Sequence, residues 1–124
     1  DGRIYGQPFG VNCTGMFYNK KLLEENGCEV PESWEEFQET AAKISNEDVK
    51  GFAITALQTE ESMYEFLPIL WSMGGDVYRI AEENSKKAFL LLDQMEKEGS
   101  LSLQSISLTM GDLTNQFLKG KIGI

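Results

Sequence analysis

The chain contains no histidine. A Ser-His-Asp or Cys-His nucleophile pair cannot be assembled within it, nor can a zinc site with an imidazole ligand. Cysteine is nearly as scarce. Cys13 and Cys28 form no C-x-x-C unit and are too few for a metal site of their own. Two free thiols are the simpler reading, a disulfide between them stays open, and the redox compartment is undecided. Positive charge is in short supply: 11 Lys and Arg stand against 20 Asp and Glu, for a net charge of -9. That balance opposes DNA, RNA and anionic membrane surfaces, all of them polyanions. No apolar run reaches the ~18 residues that span a bilayer. There is no phosphate-cradling glycine loop and no dinucleotide fingerprint. No metal and no cofactor is therefore expected.

What is present is an ordinary share of apolar residues, 41%, over 124 residues, enough for one core and one domain. Gly2 to Gly10 is glycine-punctuated and extended. Thr14 to Tyr18 and Gly51 to Thr55 read as strands. Asn19 caps a helix over Lys20 to Asn26 that Gly27 stops. Ser33-Trp34-Glu35-Glu36 is a capping box, opening a helix whose Trp34, Phe37, Ala41 and Ile44 share a face. Ser62 to Met73 is apolar nearly all round and predicts a buried helix. Pro68 inside it strips the Tyr64 carbonyl of its donor and predicts a kink. Asn84 or Ser85 caps the next helix, with Ala88, Leu91, Leu92 and Met95 as its stripe. Residues 99–111 read as a loop. Asp112 caps a last helix, and Lys121 to Ile124 starts a strand. Strands alternating with helices predict an α/β layer of three or more strands. Phe17, Phe52, Ile54, Leu67, Leu70, Leu92 and Phe117 are its expected core. The start at Asp1 and the strand-like close lead to the expectation of a piece of a longer protein, with any export signal upstream.

Five stretches in order then resemble one family. They are Asp1-Gly2-x-x-Tyr5-Gly6-x-Pro8 with Val11-Asn12 and Phe17-Tyr18-Asn19-Lys20; Val30-Pro31-x-Ser33-Trp34-Glu35-Glu36-Phe37; Leu67-Pro68-Ile69-Leu70-Trp71-Ser72; Gly74-Gly75-Asp76; and Gly111-Asp112-x-x-Asn115-x-Phe117-x-x-Gly120-Lys121. Together they resemble the bacterial extracellular solute-binding proteins of ABC importers, and more narrowly the sugar-binding group that includes maltose-binding protein. The resemblance implies an α/β fold: one lobe of a two-lobe type II periplasmic-binding-protein-like fold, with a mixed sheet flanked by helices. Residues 1–124 would be a single piece, mostly of the second lobe, with 4–10 as a hinge crossing. It implies capture of a mono- or oligosaccharide, delivery to ABC permease transmembrane subunits, and no catalysis. The place implied is the extracellular face of the membrane, by a lipid anchor outside these residues, or the periplasm. Two departures touch the cleft rim. Cys13 stands where the family has a small or hydroxyl residue, and the stretch after Gly75 lacks the frequent Asp-Gly-Lys hairpin. A glycoside-processing enzyme and a binding protein for a polyamine or other small solute are the alternatives.

Sugar recognition needs planar hydrogen-bonding groups for ring hydroxyls and aromatic faces for the apolar sides of the ring. By family position, Asn12 and Tyr64 fit these roles; asparagine both donates and accepts, and tyrosine offers a ring and a hydroxyl. Gln58, Thr59 and Glu60 follow a predicted strand, where open α/β sheets take their ligands. Trp71, deeper in the same helix, is a ligand candidate that competes with a core role. Trp34 is expected to pack, and Asp112 to cap. The carboxylate pairs Glu24-Glu25, Glu35-Glu36, Glu60-Glu61 and Glu82-Glu83 read as solvated helix faces. The glycosylation triplet Asn12-Cys13-Thr14 is set aside as a chance match.

Overall fold

A computed structural model describes residues 2–124; Asp1, the first position of the family-like opening, lies outside the described residues. Local chemistry sets the helix boundaries. Helix α1 (Lys20–Glu25) starts where the Asn19 side chain accepts from the Leu22 amide at 3.2 Å. It ends at Gly27, whose φ of 62° is the left-handed value that glycine adopts without strain. Helix α2 (Trp34–Ile44) starts where Ser33 Oγ accepts from the Glu36 amide at 3.1 Å. The Glu36 carboxylate returns to the Glu32 amide at 2.8 Å, one residue before the one a capping box requires. Helix α3 (Glu60–Ser72) begins two residues earlier than expected and runs through Pro68.

Helix α4 (Glu83–Lys97) has Glu82 at its cap position, not Asn84 or Ser85. The Ser85 hydroxyl is committed elsewhere. It donates towards the Arg79 and Asp76 carbonyls and accepts from the Asp76 amide, buried under the 3-10 turn Val77–Arg79. Helix α5 (Met110–Leu118) carries a complete capping box in which Thr109 is the cap and Asp112 its partner, so Asp112 is not the cap. The Thr109 hydroxyl and amide both donate to Asp112 and hold its carboxyl below the usual range. The expected loop over 99–111 contains a 3-10 turn at Leu103–Ile106.

Between the helices run three short backbone segments. Lys50 pairs with Ile122 and Phe52 with Leu101, both in parallel. Residues 50–53 lie in the middle: the Lys50 amide donates to Lys121, the Ala53 amide to Ile124 and the Phe52 amide to Ser100. These are isolated bridges; among the described residues there is no longer strand, so neither the layer of three or more strands expected from the alternation nor the mixed sheet that the resemblance implies is seen. The ladder breaks at Gly51, whose amide turns to Ser45 Oγ at 2.8 Å. Thr14 to Tyr18, the other expected strand, is exposed and extended ahead of α1.

The core joins Ile54 and Ile124 with Phe37 and Ala41 of α2, Ile69 and Leu70 of α3, and Ala88, Leu91 and Met95 of α4. Phe52, Leu67 and Leu92 pack against it, as does Trp34, whose indole N–H donates to Ser72 Oγ at 3.0 Å. Phe37 meets the rings of Trp34 and Phe52 edge-on. Phe117, also expected there, is half-buried and stands outside this core, on the wall of a groove with Leu113 of α5. Phe17 is not in it at all: its side chain is 77% exposed, because the segment carrying it passes outside the body. Cys13 and Cys28 are free thiols.

Candidate functional site

Among the described residues, those that reach the first turns of α3 form the one cluster where candidate ligand residues and buried polar groups meet. Thr55, at the carboxyl end of the central segment, is buried. Its amide donates to Glu65 Oε2 at 2.6 Å, and its hydroxyl pairs with Ser62 Oγ at 3.0 Å. Thr59 Oγ1 stands 3.5 Å from the same Ser62 oxygen. The turn over residues 56–59 is therefore tied to α3 at both ends. Gln58, Thr59 and Glu60 are exposed on that turn and the start of the helix. Tyr64, one helical turn on, is 63% exposed. Pro68 has no N–H to give the Tyr64 carbonyl, which frees an acceptor on the same side.

Trp71 follows Tyr64 by seven residues, two turns along one face of α3, and is 56% exposed. That overturns the core role weighed for it: Ile69 and Leu70 take the buried positions. Gln58, Thr59, Glu60 and Tyr64 are thus brought together, with Trp71 further along the helix. Asn12 stands apart, exposed on the extended segment. Its neighbour Cys13 lines a groove of about 830 Å³, and Glu65, Pro68 and Ile69 of α3 line it too.

Glu65, Thr55 and Ser62 were not singled out in the sequence. One signal for Glu65 was present, a carboxylate between Tyr64 and Phe66 in a helix apolar nearly all round. Burial pushes the Glu65 carboxyl above its ordinary value, and the charge of Glu61 adds to this, against the hydrogen bonds from Thr55 that lower it. A carboxyl raised in the fold favours its protonated form there. Its contribution to stability is complete below the unfolded value, ~4.3, and is lost as pH rises through the higher folded value. Glu65→Gln keeps an acceptor for Thr55 and removes the ionisation. Its melting temperature relative to the wild type should therefore be higher at pH 7 than at pH 4, read from thermal melts of both proteins at both values. An unchanged difference would show that Glu65 ionises in the fold at no cost.

The fold is shared with part of solved solute-binding proteins. It matches maltose-bound MalE3 of T. maritima with a TM-score of 0.76 and 30% identity, covering 86% of this chain and 29% of that one. The whole of residues 1–124 matches the family described as bacterial extracellular solute-binding protein, and the chain belongs to that family. Among its relatives is the multiple sugar-binding protein of Streptococcus mutans, 32% identical over 56 residues, which are 45% of this chain and 13% of the relative. The arabinooligosaccharide-binding protein of Halalkalibacterium halodurans is 28% identical over 98 residues, 77% of this chain and 20% of the relative. The chain thus spans a fifth or less of the length of these curated relatives. Both are named as binding proteins, and the family is one of extracellular binding proteins.

Proposed function

We propose that this chain is part of the substrate-capturing component of an ABC importer, one that binds a saccharide between two lobes and delivers it to the membrane permease. Membership of the solute-binding family over all of residues 1–124 carries this reading. The sugar-binding relatives support it, and so does Tyr64, an exposed aromatic beside polar groups at the start of α3. In this reading the chain is a piece lying mostly in the second lobe, and its short parallel segments are completed into a mixed sheet by the rest of the parent. Residues 4–10 cross the hinge. Tyr64 covers an apolar face of the sugar ring, Gln58, Thr59 and Glu60 reach its hydroxyls, Trp71 extends the aromatic face, and Asn12 binds from just beyond the crossing segment. Ligand touching both lobes favours the closed state, since that state alone offers both sets of contacts. The parent acts outside the cytoplasmic membrane, held by a lipid anchor or free in a periplasm, and turns nothing over.

Calorimetric titration of the full-length parent with malto-, galacto- and arabino-oligosaccharides tests this. Stoichiometric binding without release of free sugar is the expected result; hydrolysis would make the parent a glycoside-processing enzyme, and binding of polyamines alone would make it a carrier of another solute. In the parent, Tyr64→Ala is expected to cost ~1–3 kcal/mol of affinity and Tyr64→Phe less, because the ring that stacks survives. Unchanged affinity for Tyr64→Ala, or a fall in melting temperature with no fall in affinity, would remove Tyr64 from the site.

A further inference from the structure

The turn over residues 56–59 has little backbone bonding of its own. Among the described residues, the amides of Ala56, Leu57 and Gln58 have no backbone acceptor, and the Thr59 amide donates to the Leu57 carbonyl at 2.8 Å. Thr59 occupies the cap position of α3 in extended backbone, yet its hydroxyl makes no cap bond. The shape of the turn is therefore left to side chains of the helix. On entry to the turn, Glu65 Oε2 accepts from the Thr55 amide at 2.6 Å. Ser62 Oγ lies 3.0 Å from the Thr55 hydroxyl and, at the exit, 3.5 Å from the Thr59 hydroxyl. Thr55 and Ser62 are both more than nine-tenths buried.

We infer that Glu65 is a positioning residue for saccharide capture: without touching the ligand, it fixes the turn that presents Gln58 and Thr59, with Ser62 as the second tether. This rests on the reading of Gln58, Thr59 and Tyr64 as saccharide contacts. Ser62 and Glu65 stand three residues apart, so they share a face of α3 and both reach the turn. Tyr64 is exposed on the same helix. The tethers thus set the polar groups of the turn relative to the aromatic ring. Hydrogen bonds to ring hydroxyls are directional, so a turn that samples several shapes offers them for only part of the time. Apparent affinity falls by that fraction. A neutral and an ionised carboxyl each keep an oxygen that accepts from the Thr55 amide, so the role needs the acceptor and not the charge.

Residue-resolved amide hydrogen exchange of the ligand-free full-length parent tests this, together with calorimetric titration of the same variants with malto-, galacto- and arabino-oligosaccharides. Glu65→Ala should speed exchange at Thr55 and also at Thr59, beyond the lost bond. It should weaken affinity about tenfold, the loss for a turn left in the competent shape roughly a tenth of the time. Glu65→Gln, which keeps the acceptor, should restore both. Ser62→Ala, a smaller change, should act in the same direction. Glu65→Ala/Ser62→Ala should lose less affinity than the two losses combined, since a turn already released cannot be released again. Faster exchange at Thr55 alone, or unchanged affinity for Glu65→Ala, would overturn the proposal. So would a Glu65→Gln protein as weak as Glu65→Ala, which would make the charge responsible. A wild-type parent that binds no saccharide would remove the reading on which the proposal rests; the exchange pattern, which needs no ligand, still decides whether Glu65 holds the turn.

Discussion

Gly51→Ala is expected to be among the most damaging single substitutions in the chain. Gly51 is buried where the central backbone segment crosses α2, and a Cβ added there would land on the Ala41 carbonyl group. The obstacle is helix backbone, so no side-chain rotation relieves it. The residue is also pinned on both of its polar groups. Its amide donates to Ser45 Oγ at 2.8 Å, and its carbonyl accepts from the Ile124 amide at 2.8 Å. Either α2 or the 50–53 segment must shift, which should cost about 3 kcal/mol or more. That is a large part of the ~5–15 kcal/mol by which a domain is stable. Gly111→Ala is the control of opposite sign. It lies in α5, and its added Cβ meets Thr109 Oγ1 at 3.7 Å, an ordinary contact. There the lower backbone entropy of alanine should give up to ~1 kcal/mol. Denaturant unfolding of the two variants reads both signs, and a Gly51→Ala protein as stable as the wild type would mean that α2 does not seat on this segment.

Leu70→Ala is expected to cost ~2–5 kcal/mol, the range for emptying a fully enclosed leucine site. Leu70 is completely buried in α3, in the core shared with α2 and α4. It also lies so close to Gly75 that no larger residue fits opposite it, so the surroundings have little means of collapsing into the space. Leu90→Ala offers the contrast. The same side chain on the outer face of α4 is mostly exposed, and its loss should stay within about 0.5 kcal/mol. Thermal melts of the pair separate burial from helix propensity, which is the same change in both. Equal losses would place Leu70 outside the core.

The features legible in the sequence are those whose physics closes within one helical turn. Asn19 and Ser33 cap their helices because each needs only an amide three residues ahead. The stripe of Phe37, Ala41 and Ile44 follows from a 3.6-residue period alone, and all three are buried. The family, too, was legible, since ordered short motifs survive without any knowledge of contacts. Where two local solutions competed, the wider structure chose. Ser85 could have capped α4, but the 76–79 turn takes its hydroxyl. Thr109 and Asp112 could each have capped α5, and the geometry makes one the cap and the other its partner.

Burial and site assembly were a different matter, because they depend on which faces meet. Trp71 and Ile69 are similarly apolar, yet one points to solvent and the other to the core. Phe17 reads as a core residue until the segment carrying it is seen to pass outside the body. In the candidate site, Tyr64 and the 58–60 turn were named from position along the chain, whereas the Thr55, Ser62 and Glu65 network beneath them was not. A hydroxyl or a carboxylate in a sequence carries no mark of the amide ten residues away that it will meet. The sequence by itself determined the helices, their capping residues, the acidic character and the family. Tertiary structure alone decided which apolar side chains are covered, which carboxylate is partly buried, and that the backbone segments meet as short parallel bridges, since each of these depends on packing between elements far apart in the chain.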